Sequence, residues 1–274
     1  MRTARRVLQV LGRSAGGIAA HVNDIAEGLQ GRDGIEMSFA APPDMRARLA
    51  TPFFPLAIPD GLWGHRSAVS ELRMLASRGD FHVVHAHGLR ASLDSGRGAR
   101  GKGPLTLATV HNLVLPELMG SMRARALSPL ESLAVRWNDR VFAPSADIAR
   151  RLRETVPDQR GKVEVLHLGV STMVPERATS TVRSELGLGP SDHLVVTVAR
   201  LAPQKALNVL LRAHALLPQE THLAIAGSGP LEHELKNLAT DLGSSERVHF
   251  LGYIAHPRWL AYRGADDASY LPRD

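Results

Sequence analysis

Cysteine is absent from the sequence, which excludes disulfides, thiolate nucleophiles and cysteine-ligated metals and suits a cytoplasmic protein. Aromatic residues make up 4% of the chain and do not interleave with its arginines, so stacking on single-stranded nucleic acid is not expected. No apolar run approaches the ~18 residues that a membrane-spanning helix needs. The basic start Met1 to Arg6 leads into an apolar stretch of only Val7 to Leu11, too short for a signal peptide's apolar core and better read as a first strand. Lysine is scarce too, confined to Lys102, Lys162, Lys205 and Lys236, so arginine supplies most of the positive charge behind a net +6. That excess reads either as codon bias or as a surface that attracts anionic lipid, nucleic acid or a phosphorylated substrate. The shortage of aromatics argues against nucleic acid.

The remaining composition is globular. Hydrophobic residues fill 44% and charged residues 22% of 274 positions, a length that suits two domains at roughly 100–200 residues each. Short β-branched runs alternate with amphipathic stretches. They predict strands at 7–11, 36–41, 81–86, 105–110, 140–143 and 163–166, with helices at 18–29, 65–76, 128–137 and 146–153. The scheme repeats with strands at 194–199, 222–226 and 247–251, helices at 206–217 and 231–242, and a last strand starting near Ala268. Such alternation predicts an α/β protein of two Rossmann-like, doubly wound lobes, with ligands at the C-terminal ends of parallel strands. The aperiodic stretch at 171–180 is the expected linker. It separates an N-terminal lobe at 1–172 from a C-terminal lobe at 173–274, which is expected to be incomplete. The glycine-rich segment at 96–103 is expected to be a flexible basic loop.

Four motifs carry chemistry. The first loop, Gly12-Arg13-Ser14-Ala15-Gly16-Gly17, fits neither the GxGxxG fingerprint nor a P-loop. Its paired glycines let backbone N–H groups approach an anion at a helix N-terminus, but a Gly-Gly pair is also an ordinary turn. In Val83-Val84-His85-Ala86-His87, period-2 alternation puts His85 and His87 on one face, and the next strand delivers His111 to the same edge. Three histidines there suit zinc, or neutral groups that donate and accept hydrogen bonds in a cleft. No carboxylate or cysteine stands at ligand spacing, so no metal is expected. His82 and His85 fit structural hydrogen bonds, whereas His111 lies just past a strand end.

The third and fourth motifs belong to the second lobe. Arg200 and Lys205 lie in a loop beyond a parallel strand, where a planar guanidinium and a mobile ammonium suit phosphate. Gly227-Ser228-Gly229-Pro230 follows the next strand and opens a helix, a form of cradle for a pyrophosphate.

In order along the chain, these motifs resemble the retaining GT-B glycosyltransferases of family 4, over nearly its whole length. Gly16-Gly17 with His21 resembles that family's first loop and helix, the His85–His87 strand its "DVVHAH" strand, and Thr109-Val110-His111 its "TxH" strand end. Ser145 after Ala143-Pro144 resembles a "PS" segment that begins a helix. Arg200-Leu201 with Gln204-Lys205, Gly227 to Pro230, and Phe250-Leu251-Gly252 resemble the second lobe's motifs in the family's order. A nicotinamide-dependent oxidoreductase would need GxGxxG with an acidic residue about twenty positions on, and neither lobe has it.

The resemblance implies transfer of a sugar from a nucleoside-diphosphate sugar to a hydroxyl of a glycan, lipid or small molecule, with retention and without a metal or other cofactor. Arg200, Lys205, Gly16, Gly17, Gly227 and Gly229 would hold the donor diphosphate. His111 would be the catalytic-site histidine, with His87 and Ser145 on the acceptor or sugar side. The leaving phosphate would take the acceptor's proton, so no protein base is expected. The family's glutamate pair, eight positions apart, has no counterpart, which suggests C-terminal truncation and an alternative role as an inactive binding or regulatory partner. Ala206, Ala199 and Leu168 replace residues usual in the family, and each is tolerable where φ stays negative. A cytoplasmic location is expected. The arginine-bearing stretch at 117–137 suits either peripheral contact with the inner membrane face or an ordinary surface helix, and Pro129 is expected to interrupt it.

Overall fold

The computed structural model describes residues 4–14, 17–49, 52–61, 63–112, 121–169 and 179–254. The chain divides into two compact units, Met1–Ser171 and Thr172–Asp274. The first is built on a seven-stranded parallel sheet: β1 (Arg5–Leu11), β2 (Ile35–Ala41), β3 (Phe53–Pro55), β4 (Val83–His87), β5 (Leu105–Thr109), β6 (Arg140–Ala143) and β7 (Val163–Val165). Their order across the sheet is β3-β2-β1-β4-β5-β6-β7. The winding therefore reverses between β1 and β4, and a reversal opens a crevice at the C-terminal strand ends.

Alternation along β1 and β4 separates two kinds of core. Leu8, Val10, Val84 and Ala86 join an apolar cluster with Leu72 and Ala76 of α2 (His65–Ser77) and Ala91 and Ala99 of α3 (Leu89–Ala99). The intervening residues Gln9, His85 and His87 belong to the opposite face. On that face Leu11, Met37 and Phe39 pack with Val22 and Ala26 of α1 (Gly17–Leu29). Under β5 to β7, Val135 of α4 (Ser121–Trp137) and Leu152 of α5 (Ala146–Thr155) complete a third cluster with Ala108, Val141 and Val163.

Three expectations are corrected here. The segment at 96–103 is not a loop throughout, because its first four residues are the last turn of α3. Glycine is a poor helix former in isolation, but at Gly96 an added Cβ would stand 2.7 Å from the Trp137 Cβ, and at Gly98 it would stand 2.8 Å from the Val69 carbonyl oxygen. Close packing on α2 and on the end of α4 explains both. Pro129 does not interrupt its stretch; α4 runs through it from Ser121 to Trp137. The 171–180 stretch does not stay irregular to its end, since Thr179 and Ser180 begin α6 (Thr179–Glu185); residues 170–178 lie outside the described residues. The edge strand β3 and helices α3 and α6 have no counterpart among the elements that periodicity predicts.

The second unit has a parallel sheet of order β10-β9-β8, formed by β8 (His193–Val198), β9 (Thr221–Ala226) and β10 (Val248–Gly252). Leu207 and Leu211 of α7 (Leu207–His214) and Leu235 and Ala239 of α8 (Glu232–Asp241) pack with Leu223 and Ile225. Val182 of α6 packs with Ala226, Val196 and Leu251. The strand expected near Ala268 lies outside the described residues.

Candidate functional site

In the first unit, chemistry gathers at the β1–β4–β5 edge, on the face beneath α1. His85 is 8% and His87 3% exposed. The His85 Nε2 is 2.8 Å from the Thr109 hydroxyl. Both ring nitrogens of His87 are engaged, Nε2 with Gln9 Oε1 at 2.8 Å and Nδ1 with His111 Nε2 at 3.3 Å. The His87 and His111 rings are stacked with centroids 5.6 Å apart, and His21 of α1 meets His111 edge-on at 5.7 Å. Burial keeps these rings neutral, because an imidazolium there would lose its water. It lowers His85 to about 3, His111 to about 4, and His87 well below the usual histidine range, with neighbouring imidazoles adding to each effect. His21 is lowered by burial, partly offset by Asp24.

His82 departs from this group: its Nδ1 accepts the Arg6 backbone N–H at 3.1 Å. Among the described residues, no group of three or more His, Asp or Glu is placed to hold a metal. Gln9 belongs to none of the four motifs, although a lone amide inside an apolar strand was its signal. Ser145 caps α5, its hydroxyl accepting the Ile148 N–H at 3.3 Å with Asp147 in the first turn. It also lines, with His111 and Asn112, a cleft of about 520 Å³. Gly17 is the first residue of α1, and a Cβ there would meet nothing within 4 Å. Gly16 lies outside the described residues.

A larger cleft of about 1000 Å³ opens at the same edge, bordered by Gly12, Ser14, His87 and Gly88. It continues between α2 and α3, where Arg66, Arg73 and Arg97 line it and are exposed. Asp94 stands in its wall, 2.8 Å from His65 Nδ1, while His65 Nε2 is 2.8 Å from the Gly61 carbonyl. The two partners hold His65 above the usual histidine range against the opposing effect of burial. Twenty-nine residues separate this pair, and no spacing rule announces it. Arg136 of α4 forks onto Asp158 at 2.8 and 2.9 Å, so its charge is locally paired. Among the described residues, no helix is long and apolar enough to cross a membrane.

In the second unit, the loops after β8 and β9 are laced together. The Leu201 N–H donates to the Ser228 carbonyl at 3.0 Å, and the Leu231 N–H to the Leu201 carbonyl at 3.1 Å. This brings Arg200 beside Gly227 and Gly229. Arg200 and Lys205 are exposed, and among the described residues neither side chain has a hydrogen bond or ion pair. Gly227 has φ +148°, and its N–H donates to the Gly252 carbonyl at 2.7 Å, so that N–H is already occupied. The first turn of α8 carries Glu232 and Glu234, of which Glu232 pairs with Lys236 at 2.7 Å. These carboxylates already complement the helix dipole, so it is the arginine and the lysine that offer this turn's positive charge to a ligand.

At Ala206 the condition of negative φ is not met. Its φ is +47°, the one positive value for a non-glycine among the described residues, whereas Ala199 and Leu168 avoid that region. An L-residue there costs about 1–2 kcal/mol. The variant Ala206→Gly is expected to raise the second unit's stability by about 1 kcal/mol, read as a higher urea midpoint at unchanged m-value. A lower midpoint would contradict the strain.

Two family models match the chain: "Glycosyltransferase Family 4" over residues 15–173 and "Glycosyl transferases group 1" over residues 179–273. The D-inositol 3-phosphate glycosyltransferase of Mycolicibacterium gilvum is 38% identical over 146 residues, 50% of this chain and 32% of that protein. The enzyme of the same name from Mycobacteroides abscessus is 31% identical over 223 residues, 76% of this chain and 50% of that protein. The chain thus spans half or less of these curated relatives. The solved structure of Anabaena Alr3699/HepE in complex with UDP and glucose superposes with a TM-score of 0.75 at 20% identity, covering 94% of this chain and 71% of that one. At that identity the likeness speaks for the GT-B fold.

Proposed function

We propose that this chain, which belongs to glycosyltransferase family 4, provides the donor cradle and acceptor edge for sugar transfer from a nucleoside-diphosphate sugar to an acceptor hydroxyl, with retention and without a bound metal. The observation that carries the reading is the pair Arg200 and Lys205, exposed and without partners among the described residues, in the loop after β8 that is laced at Leu201 to the glycine turn after β9. As the bond from sugar C1 to phosphate oxygen breaks, charge grows on the diphosphate, and cations fixed there stabilise it. The new bond forms between C1 and the acceptor oxygen on the face the diphosphate leaves. The acceptor's proton passes to a phosphate oxygen. Neutral His111 at the first unit's strand edge suits a hydroxyl contact rather than nucleophilic attack, with buried His87 behind it, both of its ring nitrogens engaged.

Complexes of Alr3699/HepE with UDP and UDP-glucose support a uridine donor. The relatives' named substrate, D-inositol 3-phosphate, supports a phosphorylated polyol as acceptor, and Arg66, Arg73 and Arg97 along the larger cleft suit its charge. The decisive experiment is calorimetry of UDP and GDP with this chain and with its Arg200→Ala/Lys205→Ala variant. Each charge-assisted contact is worth about 1.5–3 kcal/mol, so the double variant is expected to bind at least roughly tenfold more weakly while remaining folded. Equal affinity, or no binding of either nucleotide by the unaltered chain, would overturn the assignment.

A further inference from the structure

We propose that Gln9 sets the tautomer of His111 through His87, so that His111 meets its ligand only as a hydrogen-bond acceptor. The proposal deepens the reading of the histidine edge as a hydroxyl-binding surface and rests on that reading for the ligand's identity. The relay begins on β1. Gln9 is 1% exposed, and its amide nitrogen faces the Met37 sulfur at 3.5 Å while Oε1 faces His87 Nε2 at 2.8 Å. An amide nitrogen is a donor and a thioether sulfur a weak acceptor, so this orientation satisfies both ends of the side chain. The reverse would set the amide oxygen against sulfur.

An amide oxygen can only accept, so His87 Nε2 must carry the proton. Buried neutral imidazole holds one proton, which leaves His87 Nδ1 as a bare lone pair. The atom 3.3 Å from that lone pair is His111 Nε2, which must therefore donate. Neutral His111 is left with an unprotonated Nδ1, and that atom has no hydrogen-bond partner among the described residues. A hydroxyl can donate to it. A phosphate or carbonyl oxygen, which only accepts, cannot. One buried amide on β1 thus decides which chemical groups the ring at the end of β5 can bind. Gln9 and His87 are positioning residues in this scheme, and His111 is the ring that faces ligand.

The test is ring-nitrogen NMR of the 274-residue chain with ¹⁵N-labelled histidine, near pH 7. Signals are assigned by their loss in His87→Asn and His111→Gln. Both rings are expected in the Nε2–H form, with Nδ1 at the position of an unprotonated nitrogen. Finding His111 with its proton on Nδ1, or as an even mixture, would overturn the proposal whatever the chain transfers. Gln9→Leu removes the acceptor and is expected to turn both rings into tautomer mixtures, whereas Gln9→Glu, which still accepts, is expected to keep the Nε2–H form. An unchanged His111 tautomer in Gln9→Leu would show that Gln9 does not set it. If Gln9→Leu fails to fold, the unaltered chain and Gln9→Glu still decide the matter. The nucleotide calorimetry tests the donor reading separately, so a failure of one is not read as a failure of the other.

Discussion

Acidification from pH 7 to pH 5 is expected to lower the first unit's unfolding free energy by about 2 kcal/mol through His85, with His87 acting in the same direction. Both rings are buried and neutral in the folded chain, His85 at about 3 and His87 well below the usual range, because burial disfavours the imidazolium and neighbouring imidazoles repel it. In the unfolded chain each titrates near its ordinary 6.5. Below that value the unfolded state binds protons that the folded state refuses, so stability falls with pH at about 1.4 kcal/mol per unit for His85, and His87 adds to the fall. The contribution is fully present above about pH 6.5 and is lost progressively down to about pH 3, where His85 begins to protonate in place. Over the interval from 6.5 to 5 that makes about 2 kcal/mol for His85, a large part of the roughly 5–15 kcal/mol that holds a domain folded. His65 works in the opposite sense: its raised value makes its contact with Asp94 strongest below 6.5, and the contact fades as pH rises through its folded value. Urea unfolding followed by the fluorescence of Trp137 reads the balance. His85→Gln should remove about 2 kcal/mol of the acid loss. A urea midpoint equal at pH 7 and pH 5 would show that the two rings are not held neutral by burial.

That sensitivity was partly legible in the sequence, and the part that was not has a physical reason. Period-2 alternation is a property of the strand itself, so the spacing of His85 and His87 alone puts both on one face, and β4 holds them there. Gln9 lies on another strand, 78 residues from His87, and only the parallel register that pairs Gln9 with His85 brings it into reach. The α/β alternation was equally local and legible. Helix α3 was not, because its glycines oppose helix in isolation and are required by tertiary contact: Gly96 lies against Trp137 and Gly98 against Val69 and Leu72. The three-residue β3, ending in Pro55 at the sheet edge, is too short to show a period. The strain at Ala206 was hidden for a related reason. Whether alanine can replace glycine depends on the sign of φ, and that sign is set by how the 203–206 turn joins α7.

The second large effect is expected at Gly227. Its place in the motif suggests a phosphate contact, but its geometry gives this glycine a more demanding task. A Cβ built on Gly227 would stand 1.9 Å from the Ala199 carbonyl oxygen, and one on Gly229 would stand 2.3 Å from the Leu201 carbonyl oxygen. Both obstacles are backbone, which cannot rotate away as a side-chain tip would. The φ of +148° at Gly227 is a further strain on any L-residue. To admit the methyl group, the loop after β8 would have to leave the turn after β9, breaking the Leu201–Ser228 bond and disturbing the Gly227–Gly252 bond that ties the turn to β10. Ordinary overpacking costs about 1–3 kcal/mol, and a backbone collision with loss of ladder-end bonds lies at or beyond the top of that range. Gly227→Ala should therefore strip hydrogen-exchange protection from β8, β9 and β10 while β4 and β5 keep theirs. Arg200→Ala, one residue from the collision point, should do the reverse, weakening nucleotide binding with protection unchanged. The contrast separates a glycine needed for backbone approach from a cation offered to a ligand. Wild-type protection across β8 to β10 in Gly227→Ala would mean that the two loops are not pressed together in the folded chain.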